Sequence, residues 1–127
     1  MMRELDLPVV NRSVLVVCLK QPYVDWANKL DEDEGEKILS TVDSLNSDLS
    51  SYLIPEILDY IDLELFIEKY WIILFELQLS GWTTDQKQWP KRRTLKMFNE
   101  WFELRCGSLV MDLWGKEPIG YNDELLD

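Results

Sequence analysis

The stretch DLELFIEKYWIILFELQL, residues 62–79, is the longest apolar segment of the chain, and the rest is read outward from it. Leu63, Phe66, Ile67, Tyr70, Trp71, Leu74 and Leu77 recur at spacings of three and four, the period of a helix with one buried face. Ile73 and Phe75 widen that face. Glu64, Glu68 and Glu76 fall four or eight apart and line a solvated stripe. Asp62 is placed to cap the first turn by accepting its free amides. Gly81 is placed to take the left-handed conformation that ends a helix. At ~1.5 Å per residue such a helix is about 27 Å long. It does not read as a membrane span, because its longest uninterrupted apolar run is Tyr70 to Phe75 and a span needs about 20 residues with few charges. A core helix is the plain reading. A helix that offers an apolar face to a partner is the sharper one.

On the N-terminal side, Met1 to Val10 reads as an irregular lead-in closed by Pro8. Ser13 to Leu19 (SVLVVCL) reads as a strand with Val14, Val16 and Cys18 on one face and Leu15, Val17 and Leu19 on the other. Two apolar faces predict a central strand covered on both sides. Pro22 suits the first turn of a helix over Tyr23 to Leu30. Asp31 to Glu36 (DEDEGE) reads as a solvated acidic loop. It fails as a calcium loop, because Gly35 falls one place early and Val42 stands where the closing glutamate belongs. Lys37 to Asn46 predicts a short helix or turn. Ser50 to Ile54 reads as a second strand, with Pro55 marking an edge or an end.

On the C-terminal side, Thr83 and Gln86 have capping-box spacing for a single helical turn. Lys91 to Leu104 reads as a helix with Leu95, Phe98, Trp101 and Phe102 inside. Ser108 to Trp114 (SLVMDLW) reads as a last strand, and 115–127 as a loose acidic tail. The order predicts an α+β fold: one domain over 1–127, its core about 11–114, with a three- or four-stranded mixed sheet and two to four helices. A chain of 127 residues is long enough to bury a core without a disulfide or metal to hold it.

Thirteen basic residues against 24 acidic ones give a net charge of −11. Such a surface repels phosphate backbones and favours a basic protein partner over nucleic acid. Nothing points to a membrane partner, and self-association stays open. Cys18 and Cys106 lie inside apolar segments and read as buried free thiols. The N-terminus carries Glu4 and Asp6 and no apolar run, so a cytoplasmic location is expected.

The chemistry-bearing residues are few. The chain has no His, the usual acid–base group near neutrality. Neither phosphate-cradling glycine motif is present, and no cofactor or metal is expected. A carboxylate site would have to draw on Asp25, Asp85 and Asp112. Asp112 stands out for its apolar neighbours: if buried, it calls for Arg12 or Arg92 as a partner, a structural ion pair being the plain reading. Cys106 and Ser108 lack an imidazole to activate them. Lys87 to Lys96 (KQWPKRRTLK) holds five cations, no acid, and an interleaved Trp89. Trp82, Trp89, Arg92, Arg93 and Lys96 therefore form a candidate binding edge, since Arg and Trp commonly anchor interfaces. The same mixture suits an anion or a single nucleic-acid strand. It also suits balance of the chain's own acids.

NRSVLVV (11–17), QPYVDW (21–26), YLIPE (52–56), Trp89-Pro90, RTLKMFNEWF (93–102) and SLVMDL (108–113) resemble a family of small uncharacterised bacterial proteins. The resemblance implies a bacterial source and a single domain, with no mechanism attached. In that pattern a His often precedes the serine of the last strand; here the position is Gly107, so chemistry needing that imidazole is not expected. The sequence therefore predicts a small non-catalytic protein that works through a protein–protein contact, with an inhibitor or immunity role as one version. The alternative is a small enzyme built on Asp25, Asp85 and Asp112.

Overall fold

A computed structural model describes residues 7–122. Its elements, in chain order, are β1 (Val9–Val10), β2 (Ser13–Leu19), α1 (Gln21–Asp33), α2 (Val42–Leu45), β3 (Ser51–Ile54), α3 (Tyr60–Ser80), a 3-10 turn (Gln86–Gln88), α4 (Leu95–Trp101), β4 (Phe102–Gly107) and β5 (Val110–Met111). The fold is α+β, with one antiparallel sheet in the order β3-β2-β4 and a second, β1-β5. Every pairing is antiparallel, so the sheet is not the mixed one expected. The two sheets are one long antiparallel ladder interrupted: the register slips by one residue across Asn11–Arg12, as at a bulge. Ser13 closes the interruption. Fully buried, its hydroxyl donates to Ser108 O at 3.1 Å and accepts the Ile57 amide at 2.8 Å.

β2 is central, as its apolar run predicts, but it is covered on one face only. Leu15 and Val17 pack with Ile54 and Phe102 against Leu74, Phe75 and Leu79 of α3, Phe98 of α4, and Tyr23 and Ala27 of α1. On the other face Val14 and Val16 are half-buried, Cys18 is buried and Leu53 is exposed. α1, α3 and α4 close one face of three short strands, while on the second only Cys18, near Val42 of the four-residue α2, is buried.

Several boundaries move. The lead-in is not all irregular, since Val9 and Val10 pair with β5; residues 1–6 lie outside the described part. α1 runs on to Asp33, so the acidic loop is shorter than expected, and Gly35 turns it at φ 90°. α2 starts with a capping box between Thr41 and Ser44. The helix expected over 91–104 ends at Trp101. Phe102 to Cys106 alternates inward apolar with outward charged residues, the period of a strand, and pairs with β2. Of the strand expected over 108–114, only Val110 and Met111 form one. The tail from 115 to 122 is exposed turn and extended chain; 123–127 lie outside the described residues.

α3 begins earlier than predicted. Asp59 caps it by accepting the Asp62 amide at 2.9 Å, while Asp62 accepts the Leu58 amide at 3.0 Å. Gly81 is right-handed at φ −65°, so no left-handed residue stops the helix. Instead the buried Tyr23 hydroxyl donates at 2.7 Å to the carbonyl of Gln78, in the helix's last turn. The Gln78 side chain in turn donates to Tyr52 Oη at 2.8 Å. Burial, with Tyr52 alongside, pushes the Tyr23 phenol well above its ordinary value. The neutral phenol is therefore favoured in the folded state. Its contribution is whole below the unfolded value of about 10 and is lost progressively as pH rises from there toward the raised folded value. Urea unfolding between neutral pH and pH ~11 should show this alkaline loss. Tyr23→Phe should reduce it, at a cost near neutrality of about 1–3 kcal/mol for the orphaned carbonyl.

Candidate binding surfaces

α3 is apolar on nearly all sides, yet only its second half is enclosed. Leu74, Phe75, Gln78 and Leu79 are buried. Leu63, Phe66, Ile67, Tyr70 and Trp71 are half-buried, and Leu77, expected inside, is exposed. The first half packs on the core through one side only. Its outer side presents, one helical turn or two apart, Ile61 (62 % exposed), Leu65 (59 %) and Ile72 (50 %), and Leu58 is exposed just before the helix. Ile73 and Leu77 continue the apolar surface around the helix. An apolar stripe of this kind costs solubility when left in water and commonly marks a contact surface.

Next to that stripe, the same helical segment borders a groove of about 480 Å³. Tyr60, Leu63 and Ile67 of α3, Leu95 of α4, and Phe102 and Leu104 of β4 line it; Glu64 and Glu68 stand at its rim. Both glutamates are exposed, and among the described residues neither has a cation within salt-bridge distance.

The basic edge divides in two. Trp82, Trp89 and Arg93 face inward. Trp82 Nε1 donates to Ala27 O at 3.2 Å, and Trp89 Nε1 to Thr83 O at 2.9 Å. Arg93 lies over the Trp89 ring at 5.7 Å, donates to Pro90 O at 2.9 Å and pairs with Glu76 at 3.4 Å. Lys87, Lys91, Arg92 and Lys96 face outward. Lys96 stands 4.0 Å from Glu100, both largely exposed, so that pair contributes little. Arg92 is held at φ 58°, the left-handed region a side chain seldom adopts. The 3-10 turn before this edge is capped by Asp85, which accepts the Lys87 amide; Thr83 caps Asp85 rather than the turn. Arg92→Glu should leave the thermal midpoint nearly unchanged, whereas Arg93→Glu should lower stability by about 1–2 kcal/mol through the lost ring and carboxylate contacts. Thermal unfolding of the two variants separates them.

The three candidate carboxylates sit on different elements. Asp25 on α1 accepts from Gln21 at 2.8 Å, Asp85 caps its turn, and Asp112, just past β5, accepts the Trp114 amide at 2.7 Å. None lines the groove under α3. Asp112 takes its partner from the backbone rather than from Arg12 or Arg92, because it lies in a turn rather than within the strand. Cys106 is half-buried, and burial pushes its thiol up, away from the reactive thiolate. Gly107 leaves no room for a side chain, since a Cβ there would lie 2.9 Å from Val14 Cγ1.

Among the described residues no helix is long and apolar enough to cross a membrane, and no group of three or more His, Cys, Asp or Glu gathers as a metal site. No family model, curated protein or solved structure matches the chain. Sequence reasoning offered α3 as a partner-binding helix without saying which face, and it missed the groove beside it. The signal was present: Ile61, Leu65, Ile72 and Ile73 make α3 apolar on more sides than one core can use.

Proposed function

We propose that this chain is a non-catalytic module that binds another protein through the outer face of α3, as an inhibitor or immunity-type protein would. The observation that carries the reading is Ile61, Leu65 and Ile72, three large apolar side chains at helical spacing on α3, each at least half exposed, with Leu58 exposed just before the helix. A helix presenting such a row docks into an apolar groove of a partner. The acidic balance of −11 favours a partner with a basic rim. Arg92, exposed and held in a disfavoured conformation, supports a second contact at the basic edge, because strain of this kind tends to persist where a side chain has a task.

Site-specific photo-crosslinking in cells tests the reading. A photoreactive residue at position 65 should yield a discrete adduct with one other protein, and the same residue at position 29, on the solvated side of α1, should not. Equal, diffuse labelling from both positions would oppose it.

A further inference from the structure

Among the described residues β4 has one paired edge and one open edge, and the hydrogen-bond pattern shows which of its groups point outward. Leu19 spends its amide and its carbonyl on the Asn46 side chain, both at 2.9 Å, on the β3 side of β2. Backbone groups alternate sides along a strand, so the even residues Val14, Val16 and Cys18 bond to their partners Gly107, Arg105 and Glu103. The Lys20 amide, bonded to Trp101 O at 2.9 Å, fits the same alternation. Leu104 and Cys106 therefore direct amide and carbonyl away from the sheet, and Phe102 directs its carbonyl; the Phe102 amide is used by Phe98 O. The side chains of Phe102 and Leu104 line the groove under α3, so the open edge and the groove adjoin.

We propose that an extended segment of a partner protein, carrying apolar residues flanked by Lys or Arg on the one face turned toward α3, adds to the open edge of β4 as a fourth strand. Main-chain bonds to Leu104 and Cys106 hold it in register. Its groove-side apolar residues lie against Leu63, Ile67 and Leu95. Its cations reach Glu64 and Glu68, which close the groove with negative charge and have no described cation of their own. The charge selects the occupant: this chain's own final residues, DELLD, carry three acids and no cation, and would be repelled. The proposal rests on the reading of the chain as a protein-binding module, but it uses a different surface from the outer face of α3.

The probe is a synthetic eight-residue Val–Lys peptide, Thr-Lys-Thr-Val-Thr-Val-Thr-Lys, whose Val and Lys all fall on one strand face, titrated into the isotope-labelled full chain and followed by NMR. The Leu104 and Cys106 amides should shift and gain protection from exchange. A peptide N-methylated at alternate residues, with the same charge and side chains, should bind at least about tenfold more weakly, since each blocked amide removes a ladder bond. Glu64→Lys with Glu68→Lys should shift preference toward a Val–Glu peptide. Equal binding of methylated and unmethylated peptides would overturn strand addition. Strong protection of the Leu104 and Cys106 amides in the free protein would overturn it too, by showing that the chain covers its own edge. Failure here, with the crosslink from position 65 intact, would leave binding by the α3 face standing; a bound peptide without that crosslink would leave only the edge.

Discussion

Phe75→Ala should destabilise the protein by about 3–5 kcal/mol in chemical denaturation, a large share of what a domain this size holds. Phe75 is fully buried in α3. Its ring lies 5.1 Å from Phe102 in an edge-on arrangement, 5.6 Å from Trp101 and 5.9 Å from Phe98. One side chain thus joins the central helix to both α4 and β4, and truncation leaves a void that three large rings cannot easily collapse around. Trp71, one turn earlier on the same helix, is half-buried and meets Phe98 at 6.4 Å, so its truncation should cost less. A loss under about 1 kcal/mol at Phe75 would contradict the arrangement of helices on the sheet.

The sequence showed its class and its centre more plainly than its edges. SVLVVCL declared a central strand, and the three-and-four spacing of residues 62–79 declared the long helix. The C-terminal third misled, because Leu95, Phe98, Trp101 and Phe102 keep helical spacing up to the residue where the chain turns. Phe102 serves as the last contact of a helix and the first of a strand, and periodicity cannot separate the two roles. The apolar pattern of Leu15 and Val17 against Val14 and Val16 likewise suggested cover on both faces; nothing local says how many helices are available to supply it. Trp82, Trp89 and Arg93 were legible as a cluster. Whether such residues face a partner or the chain itself depends on carbonyls at Ala27, Thr83 and Pro90, and composition carries no trace of those.

The outer face of α3 carries the functional account, and Ile61→Glu combined with Leu65→Glu addresses it. Glutamate is a good helix former, and both positions are largely in solvent, so stability should stay within about 0.5–1 kcal/mol of the parent. Two anchors at the centre of an interface, each contributing ~2 kcal/mol or more, should together weaken binding about a thousandfold when replaced by charges. The added acids leave the basic edge untouched and make the groove beside Glu64 and Glu68 no less negative, so a loss of binding belongs to the α3 face. The deciding measurement is the affinity of the protein identified by the crosslink from position 65 for the parent and for this double variant, with thermal midpoints taken on the same samples. The account predicts matched midpoints and a loss of affinity of about three orders of magnitude. Unchanged affinity at a matched midpoint, or a midpoint that collapses because the face packs against the chain itself, would contradict it.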